Sequence, residues 1–136
     1  ELVITVKPGW KKGTRVTFPS EGDEAAGMVP ADVIFVVAEK NHARFVREGS
    51  NLVHTCTLSL ADALTECVLQ VPTLDGRKLS LACPEIVSPG YEKIIPGEGM
   101  PLSKQPHQRG NLVIRFKLVF PVFLPDDKQK QLRELL

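Results

Sequence analysis

Three histidines and three cysteines are the residues of this 136-residue chain best suited to hold a metal ion or carry a nucleophile, and their spacing argues against both. His42, His54 and His107 stand far apart in dissimilar surroundings, with none at the short intervals by which a helix or hairpin converges ligands on one ion. Cys56, Cys67 and Cys83 form no Cys-x-x-Cys pair, are odd in number and sit among apolar residues. They read as small core hydrophobes in a reducing compartment, with neither a disulfide framework nor a zinc site indicated. Asp62 and Glu66, one helical turn apart, have the residue types for shared-proton chemistry, but a solvated helical face accounts for them more simply. No nucleophile elbow orders a serine with a histidine and an acid. Gly97-Glu98-Gly99 lacks the strand-to-helix setting of a phosphate cradle. The expectation is of no catalytic residue, no metal and no cofactor, hence of a binding protein and not an enzyme.

Elements that position binding surfaces are easier to read, because the chain nearly repeats itself. Ile4-Thr5-Val6-Lys7-Pro8-Gly9-Trp10, leading to Glu21-Gly22-Asp23 and Asp32-Val33-Ile34-Phe35, returns as Glu85-Ile86-Val87-Ser88-Pro89-Gly90-Tyr91, leading to Glu98-Gly99-Met100 and Asn111-Leu112-Val113-Ile114. The offsets are 81 from Pro8 to Pro89, 77 from Glu21 to Glu98 and 79 from Asp32 to Asn111, constant except where loops would lie. Two related β units in tandem follow, with Trp10 and Tyr91 in a shared packing role. Strand, turn and hairpin from Leu58 to Leu81 precede the second copy and nothing precedes the first, so the chain is expected to start in mid-unit.

Within each copy the local signals are those of short strands. Leu2 to Val6 alternates as a strand closed by Pro8-Gly9, Arg15 to Phe18 makes a second, and Glu21 to Pro30 reads as an acidic surface loop. Val33 to Ala38 is an unbroken apolar run and predicts a central strand shielded on both faces. Leu52 to Leu58 is a strand, Ser59 caps a helical turn over Leu60 to Glu66 in the manner of a capping box, and Asp75-Gly76 predicts a type I′ hairpin. Ile86 to Pro96 repeats strand and turn, and Leu112 to Phe120 is a long strand. Asp126 to Leu136 is helical, with Leu132, Leu135 and Leu136 on one side; too short to be stable alone in water, it must dock.

Composition sets the outer bounds. A hydrophobic content of 43% with 24% charged residues is that of a globular chain. Eleven prolines and ten glycines, spread along its length, favour short strands over long helices. Seventeen basic against sixteen acidic side chains leave a net charge of +1, giving no field to draw nucleic acid or an anionic membrane. No apolar run reaches the length needed to span a bilayer.

Val71-Pro72-Thr73-Leu74-Asp75-Gly76-Arg77, Pro96-Gly97-Glu98-Gly99-Met100-Pro101, and Arg109-Gly110-Asn111-Leu112 closing on Phe120-Pro121, together with Val6-Lys7-Pro8-Gly9-Trp10 and Gly13, resemble the C-terminal region of the J-domain co-chaperones, the DnaJ family. The likeness runs in order along nearly the whole chain. The extended loop from Met100 to Pro106 and the lack of a cysteine-rich zinc segment make it most similar to class B members. No His-Pro-Asp tripeptide and no Gly/Phe-rich linker occurs, so the part that stimulates ATP hydrolysis in a DnaK-type partner is outside this sequence.

The resemblance implies a mostly β fold of two tandem β-sandwich-like subdomains, the first N-terminally truncated, with a short C-terminal helix. The division expected is 1–48 for the partial first subdomain, 49–124 for the second and 125–136 for the dimerisation helix. By the same resemblance Phe35 matches an aromatic of the groove for unfolded polypeptide, and Val33 and Val37 share its strand face. Lys40, with His42 beside it, matches a basic residue that helps hold the acidic tail of the heat-shock chaperone. Phe123, Leu132, Leu135 and Leu136 would make the homodimer. The implied protein binds unfolded polypeptides and delivers them to a DnaK-type chaperone during folding and stress, in the cytoplasm or nucleus. The rival reading is an assembly module, with client binding carried by strands missing before Leu2.

Overall fold

The computed structural model describes residues 1–22, 29–83 and 86–136. Residues 23–28 of the predicted acidic loop, and the Glu85 that opens the second copy, lie outside the described residues. The chain is mostly β. Among the described residues, eight strands, β1 (Arg15–Phe18), β2 (Val33–Val36), β3 (Val46–Glu48), β4 (Asn51–Ser59), β5 (Val68–Pro72), β6 (Lys78–Ala82), β7 (Glu92–Ile95) and β8 (Leu112–Val119), accompany two helices, α1 (Leu60–Ala63) and α2 (Asp126–Leu135). Strands β1 and β2 pair as one sheet, β5 and β6 as another, and a four-stranded sheet runs in the order β3-β4-β8-β7.

Matched corners of the duplication have matched backbones. Trp10 N–H donates to Lys7 O at 3.4 Å with Gly9 at φ +88°, and Tyr91 N–H donates to Ser88 O at 3.1 Å with Gly90 at φ +83°. Each is a four-residue turn with Pro second and a positive-φ glycine third. After the following strand, Ser20 takes φ +58° where its counterpart Gly97 takes +76°. Ser20 is the one non-glycine residue with positive φ among the described residues. Each loop is then closed by a glycine amide: Gly22 N–H donates to Ala31 O at 2.7 Å, and Gly99 N–H to Gly110 O at 2.8 Å.

Three local expectations need correction. Leu2 to Val6 and Ile86-Val87 are not strands, since β-branched alternation makes a strand only where a neighbour supplies ladder hydrogen bonds. Second, the apolar run from Val33 is not shielded on both faces: among the described residues β2 pairs only with β1, and Ile34 and Val36 are 45% and 60% exposed. Apolarity reported the character of these side chains and not their cover. Third, the Asp75-Gly76 hairpin is not type I′, because Gly76 (φ +87°) alone in the turn has positive φ. Gly76 N–H donates to Thr73 O and Thr73 N–H to Arg77 O, a three-residue loop in which the glycine ends a tight turn. Helix α1 is also shorter than predicted, though Ser59 caps it as read, its Oγ accepting from Asp62 N–H at 3.1 Å.

Contacts divide the chain into two units, residues 1–54 with 94–113 and residues 55–93 with 114–136. These units record contact, whereas the duplication records sequence order, so the two divisions follow different lines. In the first unit Phe45, Leu52, Val53 and Leu112 are buried. Its Pro8-Gly9 corner is fastened by Arg47, whose guanidinium donates to Trp10 O at 2.7 Å, Gly9 O at 3.2 Å and Gly49 O at 2.8 Å. In the second unit Leu58, Ala63 and Val87 form a buried cluster, with Cys67, Leu69, Cys83, Tyr91, Phe116 and Leu118 packed on it. Tyr91 stacks on Phe116 with ring centroids 5.7 Å apart.

Candidate functional site

Strands β1 and β2 run antiparallel with Val16 opposite Phe35 and Phe18 opposite Val33. Alternation then puts Val16, Phe18, Val33 and Phe35 on one face. Val37 continues it past the strand end, because its N–H donates to Thr14 O and its carbonyl accepts from Gly13 N–H, both at 2.8 Å. Phe18 and Phe35, diagonal neighbours across the pair, meet edge to face with centroids 5.7 Å apart and planes at 89°. Such a pair contributes about 0.5–1.5 kcal/mol beyond area burial. Val16, Phe18, Val33 and Val37 are half-buried, while Phe35 is 40% exposed.

This arrangement brings Val33, Phe35 and Val37 together as the spacing predicts. It adds Val16 and Phe18, which no sequence motif flagged; their alternation was legible, but their pairing with β2 was not. Ile34 and Val36 present a second apolar surface on the opposite face. Since a two-stranded sheet has two edges, each strand leaves one row of backbone donors and acceptors without a ladder partner in this sheet. Chemically, the surface can offer main-chain hydrogen bonds to an extended peptide and apolar contact to its side chains.

Lys40 and His42 are both exposed, but they do not act alike. His42 Nδ1 accepts from Arg44 N–H at 3.0 Å and Phe45 N–H at 3.3 Å, and its ring lies 5.5 Å from that of Phe45. The ring of His54 packs against the same phenylalanine at 5.5 Å, its Nδ1 2.9 Å from Arg44 O. His42 therefore shapes the approach to β3. Elsewhere in the first unit, a shallow cleft of about 390 Å³ is lined by Lys11, Ser50, Leu102, Ser103, Lys104 and Gln105, none of them a predicted site residue.

At the other end of the chain, α2 buries none of its residues. Asp126 and Asp127 in its first turn and Arg133 in its last complement the helix dipole. Leu132 is half-buried, whereas Phe123, Leu135 and Leu136 are 78%, 81% and 87% exposed. No group of three or more His, Cys, Asp or Glu among the described residues is arranged to hold a metal ion, and no described helix is long and apolar enough to cross a membrane.

Residues 1–121 match the DnaJ C terminal domain, and the chain belongs to that family of co-chaperones. Its relatives place it in class B. It is 47% identical over 99% of its length to human DnaJ homolog subfamily B member 13 and 43% identical over 99% to human DnaJ homolog subfamily B member 5. DnaJ protein homolog 1 of Drosophila melanogaster is 45% identical over 99% of the chain. The chain spans 43%, 39% and 41% of the lengths of these three relatives.

Proposed function

We propose that this chain is the client-binding and dimerisation portion of a class B J-domain co-chaperone, holding unfolded polypeptide for transfer to a DnaK-type chaperone. The observation that carries this reading is the open β1–β2 sheet, where an aromatic pair and three valines lie beside unpaired strand edges. An extended client segment would add as a strand, gaining main-chain hydrogen bonds, with its apolar side chains against Phe18 and Phe35. At about 25 cal/mol per Å² of apolar surface covered, a few side chains on a shallow surface give weak, rapidly exchanging binding once ordering costs are subtracted. Weak binding suits a protein that must hand its client on. Lys40 supplies a cation for the acidic tail of the partner chaperone, and Phe123, Leu135 and Leu136 supply apolar surface for a second copy, so that one assembly presents two client sites. Its place of action would be the cytoplasm or nucleus.

Suppression of client aggregation tests the reading. Phe35→Asp puts a charge where the client's apolar side chains would lie, at a position already 40% exposed, so folding survives at the loss of one edge-to-face contact. Suppression should vanish while the circular dichroism spectrum and melting temperature stay near wild type. Full suppression by a folded Phe35→Asp variant would refute the assignment of this sheet.

A further inference from the structure

Two of the cysteines that sequence spacing left unrelated are brought opposite one another by the β5–β6 hairpin. Cys67 directly precedes β5, Cys83 directly follows β6, and the ladder between them runs from Pro72 opposite Lys78 back to Val68 opposite Ala82. The next pair is Cys67 and Cys83, joined by Cys83 N–H donating to Cys67 O at 3.1 Å. Opposed residues in such a hydrogen-bonded pair have Cα atoms about 5.5 Å apart, inside the range of about 4.4–6.8 Å that a disulfide spans. Alternation puts both thiols on the side of the hairpin that packs on Leu58, Ala63 and Val87. Both are free and only half-buried, so a small oxidant can reach them.

We infer that Cys67 and Cys83 are a modification site: an intramolecular disulfide forms between them on exposure to a low-molecular-weight disulfide such as oxidised glutathione, closing the open end of the hairpin. This inference does not depend on the client-binding reading. Chemically it is two exchanges. One protein thiolate attacks a sulfur of the oxidant, forming a mixed disulfide and expelling one molecule of the reduced small thiol. The second protein thiol loses its proton to solvent and attacks the first protein sulfur, forming the Cys67–Cys83 bond and expelling the second reduced small thiol. Two electrons pass from the cysteines to the oxidant. Desolvation, then the Cys67 thiol, push Cys83 up to about 11, so the thiolate is scarce and the pair closes slowly. It is a staple set by sustained oxidation. The third thiol, Cys56 on β4, is also held protonated by burial and has no place on the β5–β6 ladder.

The full 136-residue chain incubated with oxidised glutathione at pH 8 tests this, with thiol titration and non-reducing peptide mapping as readouts. Reactive thiols should fall from three to one. Trypsin separates residues 79–93, which carry Cys83, from residues 48–77, which carry Cys56 and Cys67, so a disulfide-linked pair of these peptides should appear. The link should persist in Cys56→Ser, with both remaining thiols lost, and be absent in Cys67→Ser. Mapping of the unsubstituted chain stands even where a variant fails to fold. Persistence of the linked peptides in Cys67→Ser, or a wild-type product holding only glutathione adducts or intermolecular bridges, would overturn the proposal.

Discussion

Gly9 and Gly90 turn the same corner in two copies of one motif, yet their neighbours differ. Both have positive φ, where an alanine is destabilising by roughly 1 kcal/mol or somewhat more. A Cβ on Gly90 would meet nothing within 4 Å, but one on Gly9 would sit 2.6 Å from Ser103 N and 2.7 Å from Pro101 O. Gly90→Ala should therefore lower stability by about 1 kcal/mol in urea unfolding, and Gly9→Ala by at least twice that. Equal losses would mean that the corner at Gly9 does not press on the 101–103 segment as described. Lys40 belongs to the same scale: Lys40→Glu should weaken binding of an acidic partner-tail peptide several-fold in calorimetry, while His42→Ala should act mainly on stability, through the lost hydrogen bonds to Arg44 and Phe45 N–H. The glycines were legible as turn formers from Pro-Gly alone. Which of them was crowded was not, because crowding at Gly9 comes from residues more than ninety positions away.

Among the elements, the β5–β6 hairpin carries the clearest electrostatic device. Hydrogen bonds from the Thr73 hydroxyl and from Arg77 Nε hold the Asp75 carboxyl down to about 2. A carboxyl with a depressed folded-state pKa binds its proton more readily when unfolded, so its contribution is complete above the unfolded value near 4 and is lost as pH falls through about 2. Hairpin stability should drop between those limits and Asp75→Asn should flatten that part of the profile, as followed by amide exchange or by unfolding at pH 4.5 and 2. Asp75-Gly76 announced the hairpin from sequence, but the turn type was misread. Thr73 and Arg77 close a loop one residue longer than the dipeptide implies, and only Gly76 has to leave the right-handed region. Strand β2 was likewise found in the right place and given the wrong surroundings. Six apolar residues in a row look the same whether a second layer covers them or leaves them open.

For the whole molecule, the duplication was the most legible property, and the backbone bears it out through the paired corners at Gly9 and Gly90, Ser20 and Gly97, and the paired loop closures. Quaternary organisation has a simple test. Removing residues 125–136 should halve the molecular mass measured by light scattering if α2 joins two copies, and an unchanged mass would exclude the helix as the joining element. Pattern could propose that Leu132, Leu135 and Leu136 face a partner, but a helix short of its own core reads identically whatever it docks on. The open β1–β2 sheet carries one more consequence. On the proposed reading, a strand edge that takes up an extended apolar peptide would also take up its own kind, so crowding this protein would make its molecules compete with the client. Suppression of client aggregation per mole should then decline with rising dose.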